Sequence, residues 1–491
     1  MYKSISPVQT ESEIQFIESF QPDTFFVPLD LETFLYCKIH KHRFLNPINY
    51  LGPSFHEEAL IKTEKFKFNI PVFSRIIAIQ SEFVAVLRYF FHQVFFIETL
   101  LNKIIDNEKI NYIIVSGWDI NSSIPLSTEN YFTSRIVESL FGNKVKLVNA
   151  VHKKAEAIVY DYNFKGIIKT EVLVNSFGYN FKRLSGQCNR RNISAAAMVF
   201  DKLGNRQRIG AWLRGYKFIE FDVEKKSLSI DALQTPQISI ENKDKENLIN
   251  GRIAELMPHF LTQLNKCRLV DKFLEGNRPS FSASFSMRGI DGYLLERSHQ
   301  LNIPSIAIPH GTIAPAFNKS DKIYKNIIAE AVFSGVCTHV ALQSKITKDS
   351  LKTQTVKGEP IRTGNLIFTE ILQNKRNDIL YAVTLKDFIG MQFFGVEMYY
   401  EFMENLSSLV KLQESTGLTV KVKLHPSASI SRDNLQMLFP MLSFTTKNLS
   451  NCLKNSLLTI SYSSTVIEDS LYSNIPVILF DRWKIPGRDR Y

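Results

Sequence analysis

Residues 461–481, SYSSTVIEDSLYSNIPVILFD, constrain the fold more than any other segment of the chain. They read as a strand end, a hydroxyl-rich turn, a short helix and a buried strand, one βαβ step of a parallel sheet. The last third repeats this rhythm. Candidate strands at 339–343, 360–363, 379–384, 419–424, 457–461 and 476–480 alternate with helical stretches, one of which includes 398–412. Such alternation predicts an α/β chain with crossover helices. A similar unit occurs earlier: strand 280–285, helix 291–301, and strand 304–308 running into His310-Gly311. It is expected to close a first α/β domain, with the polar stretch 318–326 as linker. Further strands are plausible at 24–29, 112–115, 146–150, 172–175 and 217–221, in no assigned order, and 227–247 reads as a variable loop. A chain of 491 residues has room for two or three domains. The most economical architecture is two lobes, 1–325 and 326–491, with a cleft between them.

Hydrophobic residues make up 44% and charged residues 22%, ordinary for a soluble chain with a sizeable core. The net charge of +11 is spread along the sequence, without a basic block, zinc finger or RNA-binding signature. That argues against nucleic acid and for an anionic glycan, a lipid-linked acceptor or a membrane surface. Cys37, Cys188, Cys267, Cys337 and Cys452 are far apart and never form C-x-x-C, so neither a disulfide framework nor a zinc site is expected. The first residues, MYKSISPVQTESEIQF, lack the charged and apolar regions of a signal peptide, and a cytoplasmic location is expected. Residues 83–105 are long enough to span a bilayer, but Arg88, His92, Gln93 and Glu98 interrupt them. A buried or partner-facing amphipathic helix is the better reading, with a helix lying in the membrane interface as the alternative.

Three turns after apolar runs carry the candidate chemistry. In Lys423-Leu424-His425-Pro426-Ser427, Pro426 stops a strand and leaves His425 at its end, where an imidazole can donate to a phosphate oxygen. In Ser463-Ser464-Thr465, hydroxyls and helix-start N–H groups form an anion site, and Glu468 lies one turn on, where it can accept from ribose hydroxyls. Plain helix capping, with Glu468 at capping-box spacing from Thr465, is compatible with that role. In Pro309-His310-Gly311-Thr312, Gly311 allows close approach and His310 can act as a base or steady a departing phosphate. Asp291 and Asp119 each follow a strand and are candidate bases, with a helix N-cap as the simpler role. Gly364, after another strand, is either a lining residue or a tight turn. Walker, G-x-S-x-G, H-E-x-x-H and G-x-G-x-x-G patterns are absent, and no D-x-D stands at a strand end, so no metal site is expected.

The order of these marks resembles the GT-B glycosyltransferases of bacterial surface-polysaccharide synthesis, most closely the CMP-sialic acid- and CMP-Kdo-dependent enzymes. Those carry a His-Pro motif followed by a serine-rich motif, matched here by His425-Pro426 and Ser463-Ser464-Thr465. The stretch IPSIAIPHGT also resembles the His-Gly segment of teichoic-acid glycerophosphotransferases. The resemblance covers about residues 280–481 and does not extend over the first 230. It implies a GT-B fold of two Rossmann-like lobes, with His425 and the serines on the CMP phosphate. It also implies metal-independent, inverting transfer of an acidic ulosonic sugar from a CMP-sugar to a capsule or lipopolysaccharide glycan, at the inner face of the cytoplasmic membrane, without a cofactor. Only Asp291-Gly292 matches the acidic motif that supplies the base in sialyltransferases. GT-B chains commonly return a C-terminal helix to the first lobe, so an ending ten residues after Asp481 suggests truncation. The alternatives are a CDP-glycerol glycerophosphotransferase, a UDP- or GDP-sugar glycosyltransferase, a sugar-nucleotide 2-epimerase, and a degenerate assembly subunit.

Overall fold

The computed structural model describes residues 3–51, 55–65, 75–116, 132–148, 157–164, 169–200, 203–228, 237, 242–309, 311, 314–332, 335–352, 356–364, 366, 377–383, 396–425, 430–462 and 464–480. Among these, three sheets organise the chain. The first is parallel: β1 (Ser4–Val8), β2 (Phe25–Pro28), β3 (Tyr112–Val115) and β4 (Val145–Leu147), in the order β2-β1-β3-β4. The second holds β5 (Ala157–Phe164), β6 (Val172–Val174), β7 (Ala195–Val199), β8 (Lys217–Leu228), β9 (Phe281–Ser284), β10 (Ser305–Ala307), β11 (His339–Leu342) and β12 (Glu359–Arg362). Its order is β12-β11-β10-β9-β6-β7-β8-β5, parallel except for the β5–β8 pair. The third holds β13 (Asp378–Ala382), β14 (Thr419–Lys423), β15 (Ser443–Thr445), β16 (Ser456–Ser461) and β17 (Val477–Leu479), in the order β15-β14-β13-β16-β17.

The second sheet winds outward in both directions from β6, with the earlier strand β5 added at its edge, and the third winds outward from its first strand β13, as Rossmann-like lobes do. The chain is α/β, with these two lobes in the GT-B manner and a smaller parallel sheet before them. The division expected at 325/326 falls inside the eight-stranded sheet, because β11 pairs in register with β10 and β12 with β11.

The stretch 318–326, expected as a linker, instead begins the helix Lys319–Val332. Its polar residues are used internally: Asn318 Oδ1 accepts from Asp321 N at 2.8 Å, and buried Asp321 pairs with Lys325 at 3.3 Å. The end of the expected loop 227–247 likewise opens a helix, Lys243–Asn277, capped by Asn242 Oδ1 on Lys245 N at 2.9 Å. Residues 83–105 lie in the helix Ile77–Glu108. This helix is long and apolar enough to cross a bilayer, yet 72% of its most apolar stretch is buried within the fold. It packs antiparallel to the helix Gly289–Gln300, with Gly292 against Ala78 and the Glu296 carboxylate accepting from Ile77 N and Ala78 N at 3.3 and 3.1 Å.

The first sheet is fastened to the lobe built on the third sheet. Tyr399 Oη donates to Pro28 O at 3.0 Å, and the Glu32 carboxylate accepts from Ser431 N at 2.8 and 3.0 Å.

Candidate active site

In a doubly wound sheet the two central strands send their crossovers to opposite faces, which opens a crevice at their carboxyl ends. In the third sheet those strands are β13 and β16. Buried Ser461, closing β16, donates from Oγ to Ala382 O at 3.1 Å and ties the two strand ends together. The turn that follows enters the helix Val466–Tyr472. Ser464 does the local capping: its Oγ accepts from Val466 N at 3.3 Å and its carbonyl from Ile467 N at 3.0 Å. Thr465 makes no side-chain cap bond, so the capping box with Glu468 is not formed. Ser470 fixes the helix on its strand by donating to Thr459 Oγ1 at 3.0 Å. His425 follows β14, half-buried, on the same carboxyl edge. With β13 between their strands, the His425 and Ser464 corners lie about 10 Å apart at the usual interstrand spacing.

The carboxyl edge of the second sheet meets this corner. A Cβ placed on Gly311, in the turn after β10, would lie 3.0 Å from Thr465 Cγ2 and 3.9 Å from Glu468 Oε1. Arg183, on the helix Tyr179–Asn189 after β6, pairs with Asp469 at 2.8 Å, and both side chains are largely desolvated. Burial pushes the Asp469 carboxyl up to about 6 although Arg183 pulls it down.

The crevice of the second sheet lies between β6 and β9. Asn175, directly after β6, donates from Nδ2 to Asp291 Oδ1 in the first turn of the helix Gly289–Gln300. Asp291 is surrounded by protein but keeps part of its surface open. Burial holds its carboxyl above the usual range, opposed by the Asn175 hydrogen bond and by the Arg288 and Lys266 charges.

A second acid, Glu82 of the helix Ile77–Glu108, lies beside it. Gly289 has φ +60°, and a Cβ there would lie 1.9 Å from Glu82 Oε2, so this helix start admits the carboxylate because it lacks a side chain. Burial pushes Glu82 up to about 7, with Arg288 opposing and Asp291 reinforcing the shift.

Of the residues singled out from sequence, Gly311, Thr465 and Glu468 come together, with Ser464 beside them and His425 on the same edge. Asp291 sits on the facing lobe, on the helix that follows β9, the strand next to β10. Gly364 does not join them: it is exposed just past the end of edge strand β12 of the second sheet, and a Cβ there would meet nothing within 4 Å. Asp119, His310, Pro426 and Ser463 lie outside the described residues.

Asn175, Arg183, Asp469 and Glu82 were not singled out. Asn175 carries a sequence signal, a polar residue closing an apolar strand. Glu82 carries none, since its partners are more than 200 positions away.

No family model and no curated protein sequence matches this chain. Among solved structures it is similar to UDP-GlcNAc 2-epimerase from Neisseria meningitidis bound to UDP-GlcNAc, at 10% identity and TM-score 0.37, covering 63% of this chain and 80% of that one. It is similar to the S. aureus MnaA–UDP co-structure at 10% identity and TM-score 0.41, covering 64% and 79%. It is also similar to CalG4, the calicheamicin glycosyltransferase, at 10% identity and TM-score 0.35, covering 64% and 80%. Likeness at this level says nothing about what this chain acts on.

Proposed function

We propose that this chain is a nucleotide-sugar-dependent glycosyltransferase whose donor is a CMP-activated acidic ulosonic sugar and whose acceptor is a surface glycan. The observation that carries this reading is the approach of Gly311 to Thr465 and Glu468, which brings two motif turns from different lobes together. In this reading the donor phosphate accepts from His425 and the Ser463–Thr465 turn, while Glu468 accepts from the ribose. Asp291 on the facing lobe takes the proton of the acceptor hydroxyl. The hydroxyl oxygen then attacks the anomeric carbon as the bond from that carbon to the phosphate oxygen breaks, inverting the centre. The charge released on CMP is held by donors fixed beforehand. An aspartate raised by burial is suited to this role, because a base whose pKa lies nearer the working pH accepts the proton more readily. His310 is the second candidate for the base.

The test is a thermal-shift panel of CMP, CDP, UDP and GDP on the whole chain and on His425→Ala. CMP should raise the melting temperature most, and His425→Ala should weaken CMP about tenfold, the loss of one charge-assisted hydrogen bond. A selective CDP response would favour glycerol-phosphate transfer. A UDP or GDP response would overturn the ulosonic donor, and no response to any nucleotide would overturn the site.

A further inference from the structure

The helix Asn205–Trp212 leaves an apolar face uncovered. Ile209 is 59% exposed, Trp212 77% and Leu213, which ends the helix, 70%. Among the described residues, Trp212 and Leu213 are the two most exposed large apolar side chains. Their positions are i, i+3 and i+4, so all three share one side of the helix, while Ala211 turns inward and is buried. Arg206, three residues before Ile209, stands on that same side and is exposed.

Between Leu203 and Lys217 the chain carries Arg206, Arg208, Arg214 and Lys217 and no acidic residue. Arg208 is neutralised by Glu220 at 2.8 Å. Arg214 caps the helix end by donating to Gly210 O at 3.1 Å and is exposed.

We propose that this helix end docks on the surface of an anionic lipid bilayer, with Ile209, Trp212 and Leu213 entering at headgroup depth and Arg206, Arg214 and Lys217 at the phosphates. An indole with two aliphatic neighbours inside a basic rim is the composition that favours the membrane interface, and each rim cation near an anionic surface adds to the attraction. The net charge of +11 draws the molecule to the same surface. A protein partner is the poorer fit. Three large side chains present on the order of 400 Å², about half of what one side of a stable interface buries. The inference does not depend on which sugar, if any, the chain transfers.

The experiment is co-sedimentation of the full chain with vesicles of phosphatidylcholine alone and with about one quarter phosphatidylglycerol, an anionic fraction chosen to give appreciable surface potential. The anionic vesicles should bind at least about tenfold more protein, and raised salt should reduce that binding. Trp212→Ser with Leu213→Ser should lower it by about tenfold or more, with circular dichroism unchanged because both side chains are already exposed. A direct readout uses Trp118→Phe and Trp483→Phe, leaving Trp212 as the one indole: brominated lipid should quench it. Absent binding, equal binding to both vesicle types, binding unchanged in the double serine variant, or an unquenched Trp212 would each overturn the proposal. So would self-association through this patch without vesicle binding.

Discussion

At the scale of single residues, the site is defined by carboxyls held out of their ordinary range. Glu82 is the sharpest case, because burial raises it from 4.5 to about 7 while no hydrogen bond reaches its Oε2. The direction of the linkage follows from that rise. A carboxyl whose folded value lies above its unfolded value contributes fully below the unfolded value, and the contribution is lost as pH rises through the folded one. Keeping Glu82 ionised in the fold therefore costs about 3 kcal/mol at pH 8 and nothing near pH 4. Glu82→Gln should be more stable than the wild type at pH 8 by up to about that amount, and the gap should close towards pH 4.5. Urea unfolding at both pH values measures it, and a gap that does not change with pH would refute the burial of this charge. A carboxylate retained at such a cost beside Asp291 fits a site tuned for chemistry.

At the scale of elements, the crossing of helices Ile77–Glu108 and Gly289–Gln300 brings Glu82 to Asp291. Two glycines permit it, in different ways. A Cβ on Gly289 meets only the end of the Glu82 side chain, but φ is +60° there, so alanine pays the left-handed penalty of about 1–2 kcal/mol. A Cβ on Gly292 would lie 2.2 Å from Met287 O and 2.9 Å from Ala78 Cβ. Neither neighbour can swing aside, so the turn that enters the Gly289–Gln300 helix must shift and the two helices must move apart. Gly292→Ala should cost about 3 kcal/mol or more, and Gly289→Ala less. Denaturant midpoints of the two variants test the order, and the reverse order would mean that the crossing is looser than described. The Ile77–Glu108 helix has no side-chain cap of its own; Glu296 on its neighbour accepts its first N–H groups. No local pattern announces such a cap.

At the scale of the whole molecule, two Rossmann-like lobes meet at their carboxyl edges, and Arg183–Asp469 is a buried pair between them. Removing one partner of a buried pair leaves a charge without compensation, about 3–5 kcal/mol. Arg183→Ala should therefore destabilise the lobe contact most at high pH, where Asp469 is ionised. It should recover as pH falls below about 6, since burial already raises Asp469 to that value and the loss of Arg183 raises it further. Small-angle scattering at pH 8 and pH 5 would report the difference as a larger radius of gyration at pH 8, and adding Asp469→Asn should abolish it. A radius independent of pH in Arg183→Ala would show that the pair does not hold the lobes.

The sequence by itself determined the rhythm of the later strands and the turns that end them. There, local apolar runs are bounded by Pro426, Gly311 and the 463–465 hydroxyls, and β13, β14 and β16 fall within two residues of expectation. It also set the α/β class, because alternation with helices is a local pattern. The tertiary structure alone decided that β11 and β12 join the second sheet, that 319–332 is a helix, and that Glu82 stands beside Asp291 and Arg183 beside Asp469. Strand partners and buried ion pairs depend on contacts between residues far apart in the chain. A polar stretch that satisfies its charges inside the fold looks, residue by residue, like one that satisfies them in water.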